Sequence, residues 1–238
     1  MLLFSLECSA AAASAAIYRD EKLLGEEFLN VPQTHSVTLL PTAKSLLEHT
    51  GISPAQIDYY AVSRGPGSFT GLRIGIAAIK GLAFPDNTPC IGVSTPEAIA
   101  YGLLGFEGTV IPMMDARCGQ VYTALFQGKD GRLTRLSEDE GLPLSELKEK
   151  LKSCTGPLWL CGDGAHFGLA AWGEELPVRM APAHLCCQRA SAVGLAAMQH
   201  LGEAVSPAAL VPCLTALALF GFSVAPNYWV LILLAIPY

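Results

Sequence analysis

An apolar strand that ends in an acid, followed by a tight turn and two further strands, occurs twice in this chain. The first copy is "LLFSLE" (2–7), the turn "CSAAAA", then "SAAIYRD" and "KLLGEEFL". The second is "TVIPMMD" (109–115), the turn "ARCGQ", then "VYTALF", the hairpin turn "GKDG" and "RLTRLSE". Short apolar runs bounded by turn residues read as buried strands, and Gly-containing turns between them read as hairpins. Glu7 and Asp115 take equivalent places, each at the mouth of a hairpin. This is a duplicated β-β-β-α unit, and it limits the chain to two similar α/β units meeting near residues 103–108.

The helices complete each copy. "SVTLLPTAKSLLEHTG" puts Leu39, Leu40, Ala43, Leu46 and Leu47 at helical spacing and stops at Gly51, with Pro41 in the first turn or at a kink. "DYYAVS" (58–63) and "CIGVS" (90–94) are strands, and "TPEAIAYGLL" is a helix with Thr95 as N-cap and Pro96 at its first position. The second copy adds the helix "LSELKEKLKS", the strand and Gly turn "PLWLCGDGA", and the helix "QRASAVGLAAMQHLG". A hairpin with an acid at its mouth, duplicated across two domains, is the plan of the actin and sugar-kinase superfamily. The expected architecture is therefore a two-domain, actin-like α/β fold with a repeated βββαβα order. Residues 1–104 form the first domain, 105–213 a smaller second one, and 214–238 an apolar tail.

With 15 Lys and Arg against 21 Asp and Glu, the net charge of −6 argues against the whole surface being a nucleic-acid footprint. The eight cysteines are scattered without a C-x-x-C pair, and the five histidines show no zinc-site spacing. Free thiols in a reducing cytosol fit better than disulfides or a metal centre. "MLLFSLECSAAAASAA" lacks a basic start and has a short apolar run, so it reads as a first strand rather than a secretion signal. These readings place the protein in the cytoplasm, with no metal and no cofactor.

The stretch "SRGPGSFTGLRIGIAAIKGLAF" (63–84) is the most unusual in the chain, with five glycines, one proline and no acid. Gly65, Gly67 and Gly71 permit positive φ, and Ser68 and Thr70 are N-cap candidates. Free amides at such a helix start can hold an anion, but no Gly-Lys-Ser/Thr closes a phosphate loop, and a plain strand-to-helix turn accounts for the spacing. The helix behind it is apolar nearly all round. Leu72, Ile76, Ile79 and Ala83 form one stripe, Gly71, Gly75, Ala78 and Leu82 a neighbouring stripe of small residues, and Arg73 with Lys80 a narrow polar strip. Such a helix expects burial on two sides. One side can lie on its own sheet. The small stripe would admit either helix 36–49 of this chain or a helix of another protein.

Together with "THSVTLLP" (34–41), "IGVSTPEAIAYG" (91–102), "MDARCGQVY" (114–122) and "GDGA" (162–165), this stretch resembles the bacterial TsaB family, also called YeaZ, over roughly residues 1–213. The resemblance implies a two-domain actin-like fold and a role beside a TsaD catalytic subunit and a TsaE ATPase. Together these transfer a threonylcarbamoyl group from its adenylate to a tRNA adenosine next to the anticodon. It further implies that this chain carries none of that chemistry itself. It would meet tRNA only indirectly, and would pair through its N-terminal-domain helices with TsaD or with a second copy. On this reading Leu39, Leu40, Ala43, Leu47, Gly71, Leu72, Gly75, Ile76, Ala78, Ile79 and Leu82 supply the interface. Glu7, Ser9, Gly65, Gly67, Ser68 and Asp115 are vestigial nucleotide contacts.

Catalytic relatives use two histidines four apart as metal ligands, whereas His35 here is followed four residues later by Leu39. The family's usual Asp-Thr-Ser after the first strand is Glu7-Cys8-Ser9, and Gln120 stands where a Glu is usual. These departures weaken a phosphate site and argue against the two enzyme readings of the same fold, a metal-dependent peptidase and a small-molecule kinase. The tail departs further, because no charged residue follows Glu203. A membrane anchor, a pair of core strands and an aberrant C-terminus all fit it. We favour the last, because the resemblance stops abruptly and Pro226-Asn227 interrupts an anchor.

Overall fold

The computed structural model describes residues 1–212; the apolar tail 214–238, and the three readings of it, lie outside the described residues. Strands β1 (Leu2–Glu7), β2 (Ala13–Arg19), β3 (Lys22–Leu29), β4 (Tyr59–Gly65) and β5 (Cys90–Ser94) make one sheet in the order β3-β2-β1-β4-β5. The hairpin strands pair antiparallel, and β1, β4 and β5 run parallel. The central strand β1 is buried on both faces. Phe4 and Leu6 point into the core shared with α1 (His35–Thr50) and α2 (Phe69–Ala83), while Leu3 points to the opposite core with α3 (Thr95–Tyr101). Side chains alternate across a strand, so a strand covered on both faces must be largely apolar along its length.

The second sheet repeats the plan. Strands β6 (Gly108–Asp115), β7 (Gln120–Thr123), β8 (Phe126–Lys129), β9 (Arg132–Arg135), β10 (Glu140–Pro143), β11 (Leu158–Cys161) and β12 (Val178–Met180) order as β10-β7-β6-β11-β12, with β8 and β9 branching from β6. Its path has the same senses as the first: two antiparallel steps and two parallel ones. The duplicated two-domain actin-like fold expected above is the fold of this chain.

The details differ in four places. "VYTALF" is two strands, β7 and β8, which pair with different halves of β6. "RLTRLSE" therefore does not supply the third strand of the second sheet path: β9 pairs only β8, and β10 takes that place. Ser94, not Thr95, caps α3, accepting the Glu97 N–H at 3.2 Å. The last helix, α6 (Ala190–Ala197), comes after α4 (Leu144–Leu151) and α5 (Ala165–Trp172) in the chain but packs on the first sheet, its alanines and Val193 against Leu3, Ala16 and Tyr18. Buried hydroxyls fasten it there. Ser14 Oγ accepts the Ala190 N–H at 2.8 Å, and Ser5 Oγ donates to the Ala190 carbonyl at 2.7 Å. Arg189 and Ser191 both bond Glu26 on β3.

α1 runs unbroken through Pro41, which lies on the exposed face, and ends as expected at Gly51. There φ is +65°, and the Gly51 and Ile52 amides return to the Glu48 and Leu47 carbonyls, each at 3.2 Å. A left-handed residue closing a helix in this way favours glycine.

Candidate functional site

Two places hold the residues singled out from the sequence: the mouths of the two hairpins, and the outer face of α1 and α2.

At the first mouth, Glu7 is fully buried. It accepts the Ser9 N–H at 2.5 Å and a hydrogen bond from the Ser63 hydroxyl. Desolvation raises its carboxyl above the usual range, against the pull of the Ser63 and Ser9 bonds and of His35. The loop beyond it lies directly on the start of α2. The Ser9 carbonyl accepts the Ser68 N–H at 2.7 Å, and the Cys8 thiol donates to the Gly71 carbonyl at 3.1 Å. A side chain at Gly71 would put its Cβ 2.1 Å from the Cys8 carbonyl oxygen, and one at Gly67 would stand 2.7 Å from that of Ser9. Ser68 caps the helix through the Gly71 N–H at 3.3 Å. Two amides of the Gly-rich turn are thus engaged within the chain, by its own hairpin loop and by its own cap. Glycine is required here for close backbone approach.

His35 Nε2 bonds the Ala10 carbonyl at 2.7 Å, so this histidine braces the same loop. Its Nδ1 and the Ser9 hydroxyl are buried without a hydrogen-bond partner among the described residues. No three His, Cys, Asp or Glu side chains gather as a metal site among the described residues.

At the second mouth, Asp115 is exposed and accepts the Arg117 N–H at 2.8 Å. Asp163, in the "GDGA" turn after β11, accepts Gln188 Nε2 at 2.8 Å. Since β11 takes the place of β4 in the repeated order, this turn is the counterpart of the Gly-rich turn. Asp163 was given no role from the sequence; aligning the two copies strand by strand would have drawn it out.

The interface residues divide sharply. Leu39, Ala43, Gly71, Leu72, Gly75, Ile76, Ala78 and Ile79 are buried within this chain, whereas Leu40, Leu47 and Leu82 reach the outer face. The small stripe is therefore not a free face. A Cβ at Gly75 would lie 2.7 Å from Cys8 Sγ and 3.2 Å from Val62, so Gly71 and Gly75 are small to admit the hairpin loop and β4. The outward surface is made instead by Val37 and Leu40, 62% and 52% exposed, with Ile74, Ala77, Gly81 and Leu82 across from them. Two adjoining apolar grooves of about 930 and 470 Å³ share Leu40 and Leu82. Val37, Ile74 and Ala77 were missed from the sequence. For Ile74 and Ala77 the signal was the second apolar side of α2, assigned one helical step out of place; Val37 lies in the first turn of α1, ahead of the stripe read from Leu39 onward.

Comparison with known proteins points to one family. The profile described as "TsaD: tRNA N6-adenosine threonylcarbamoyltransferase" matches residues 29–149. The chain is 33% identical over 162 residues to the tRNA threonylcarbamoyladenosine biosynthesis protein TsaB of Bacillus subtilis, covering 68% of this chain and 71% of that protein. It is also 33% identical over 167 residues to the Escherichia coli protein of that name, covering 69% and 72%. YeaZ from Pseudomonas aeruginosa superposes with a TM-score of 0.74 at 26% identity, covering 89% of this chain and 98% of that one.

Proposed function

This chain belongs to the TsaB (YeaZ) family of tRNA threonylcarbamoyladenosine biosynthesis proteins, and from that premise we propose that it is the non-catalytic assembly subunit of the modifying machinery. In this reading the domain of residues 1–104 pairs, through the outer face of α1 and α2, with a TsaD-type catalytic subunit or with a second copy. A TsaE-type ATPase joins the assembly, and tRNA contacts the other subunits.

The observation that carries the proposal is the exposed apolar surface on these two helices. Val37 and Leu40 on α1 face solvent beside grooves that also take in Leu82 of α2. Contiguous apolar surface rimmed by polar residues, here Lys44 and Glu48, marks an interaction site in a soluble protein. The hairpin mouths support the non-catalytic part. Glu7 is held by Ser63 and Ser9, and His35 Nε2 by the Ala10 carbonyl, so each is engaged by the fold itself. Among the described residues, no helix is long and apolar enough to cross a membrane.

Leu40→Glu and Leu82→Arg test the reading. Each puts a charge where a partner would exclude water, and an unpaired buried charge costs about 3–5 kcal/mol. Size-exclusion chromatography with light scattering, on mixtures with the TsaD-type subunit, should show pairing lost. Leu40→Glu alone should leave melting unchanged, because exposed substitutions move stability by roughly 0.5 kcal/mol or less, whereas replacing the half-buried Leu82, which packs against the first core, is expected to cost more. Reconstituted tRNA modification should fall in parallel. Pairing that survives both substitutions in folded protein overturns the proposal.

A further inference from the structure

A cluster of charged side chains at the end of β5 and the start of α3 joins the C-terminal part of the described chain to the rest of the fold. His200 lies between α6 and the short 3-10 turn Leu201–Glu203. Its Nδ1 is 2.9 Å from Glu203 Oε1, and its Nε2 is 2.9 Å from Glu97 Oε1 on α3. The second oxygen of Glu97 accepts Arg135 Nη2 from β9 at 3.2 Å, and Arg135 Nη1 reaches Asp139 Oδ1 at 2.8 Å. Asp139 also accepts the Ser94 hydroxyl at 2.9 Å. Arg64 on β4 acts on Glu203, and Tyr101 faces Glu97 from the end of α3. The cluster is partly shielded from water, with the side chains of His200 and Glu97 27% and 14% exposed.

The geometry selects a protonation state. A neutral imidazole has one N–H donor and one lone pair, so in either tautomer the lone pair would face a carboxylate. Only the imidazolium donates to both Glu203 and Glu97. The segment after His200 hangs on this fastening. The 3-10 turn leads to Val205, which exchanges two backbone hydrogen bonds with Cys90, each 2.8 Å. Next comes Pro207–Ala209, where the Ala208 carbonyl accepts Lys80 Nζ at 3.3 Å, and then Leu210, buried in the first core. β5 is the edge strand of the first sheet, so this segment covers its open side. Uncovered edges offer unpaired backbone groups to other chains.

We propose that His200 is a protonation-dependent latch on a strap, residues 201–210, that covers the edge of the first sheet. Burial alone would lower the imidazole's pKa; the bonds to Glu203 and Glu97 outweigh it and raise the group above its ordinary value. Linkage sets the sign. A raised folded-state pKa means that the latch contributes fully below the ordinary histidine value of about 6.5 and lets go as pH rises through the folded value. Alkaline shifts near neutrality therefore loosen the strap.

Hydrogen exchange of the Cys90 and Val205 amides in the full chain reads the latch, corrected for the intrinsic pH dependence of exchange. Protection of both should fall roughly fivefold between pH 6 and pH 8, the size expected of a partly exposed ion pair. His200→Gln should show the low protection at both pH values, because glutamine carries no positive charge to set against Glu203 and Glu97. In a second readout, the imidazole of the wild-type chain, followed by NMR, should titrate above 6.5, and Glu203→Gln should lower its midpoint. A His200 midpoint at or below the ordinary value overturns the proposal. So does equal protection at pH 6 and pH 8 in the wild type. The NMR titration decides the matter on the unmodified protein even if His200→Gln does not fold.

Discussion

Glu7 and Asp115 end the central strands of the two sheets, at the same point of the same strand order, and live in opposite surroundings. Glu7 is sealed from water, and its oxygens are taken by Ser63 and the Ser9 amide. Asp115 stands in solvent with the Arg117 amide as its partner. The loops beyond them explain the difference. Cys8–Ala10 is pressed between the start of α2 and His35. Arg117, Cys118 and Gly119 take successive positive φ values of 68°, 50° and 74° and are exposed. Strand order thus sets where an acid stands, and the packing of the next few residues sets what that acid can do. In the first copy it is a structural plug; in the second it stays open to ligands or water.

The largest effect that would test this contrast is a methyl group in each loop region. Gly71→Ala places its Cβ 2.1 Å from the Cys8 carbonyl oxygen, a backbone atom that cannot swing aside. We expect a loss of about 3 kcal/mol or more in urea unfolding. Gly119→Ala meets nothing within 4 Å and suffers only from its positive φ, at about 1–2 kcal/mol. Equal losses would mean that the first loop is as free as the second.

A smaller effect sharpens the comparison through charge. Glu7→Ala leaves the Ser63 hydroxyl and Ser9 amide without their partner and should cost about 2–3 kcal/mol. Glu7→Gln should behave differently. The folded-state pKa of Glu7 is raised, so its carboxyl stabilises the fold most at acid pH, and that contribution declines as pH rises from the ordinary glutamate value through the folded one. Wild-type stability should therefore decline on this account between mildly acidic and neutral pH. The Gln variant, neutral throughout, should lose that component of the decline. Parallel pH profiles of unfolding for the two proteins would refute the buried-plug account.

The smallest effect belongs to the second mouth. Asp115→Ala removes an exposed side chain with one local backbone contact, and a change of about 0.5 kcal/mol or less is expected in the same assay. A cost matching that of Glu7→Ala would show that both mouths are structural.

Much of the fold is readable from the residues alone. The first sheet is legible strand by strand, because its strands are buried, apolar and separated by turn residues. In the second sheet, β8 and β9 carry polar residues that resemble a third strand, and only their pairing to the far half of β6 reveals a branch. The very short β12 and the helix α5 leave no periodic signal long enough to recognise. The direction of each α2 stripe is likewise hidden. Gly71 and Gly75 announce a close neighbour, but composition alone does not say whether that neighbour is a partner helix or Cys8 of the same chain.

Residues alone establish the duplication, the βββαβα order of the first copy and the Gly51 end of α1. All of these rest on local periodicity and on residues with few backbone options. Long-range packing sets the rest: α6 returns to the first sheet, Glu7 is buried while Asp115 is not, and His200 meets Glu97. Those outcomes rest on contacts between residues far apart in the chain, such as Ser14 with Ala190 and Glu26 with Arg189. Their partners are chosen by which surfaces meet when the two sheets and their helices close over shared cores, and no local window of residues contains that choice.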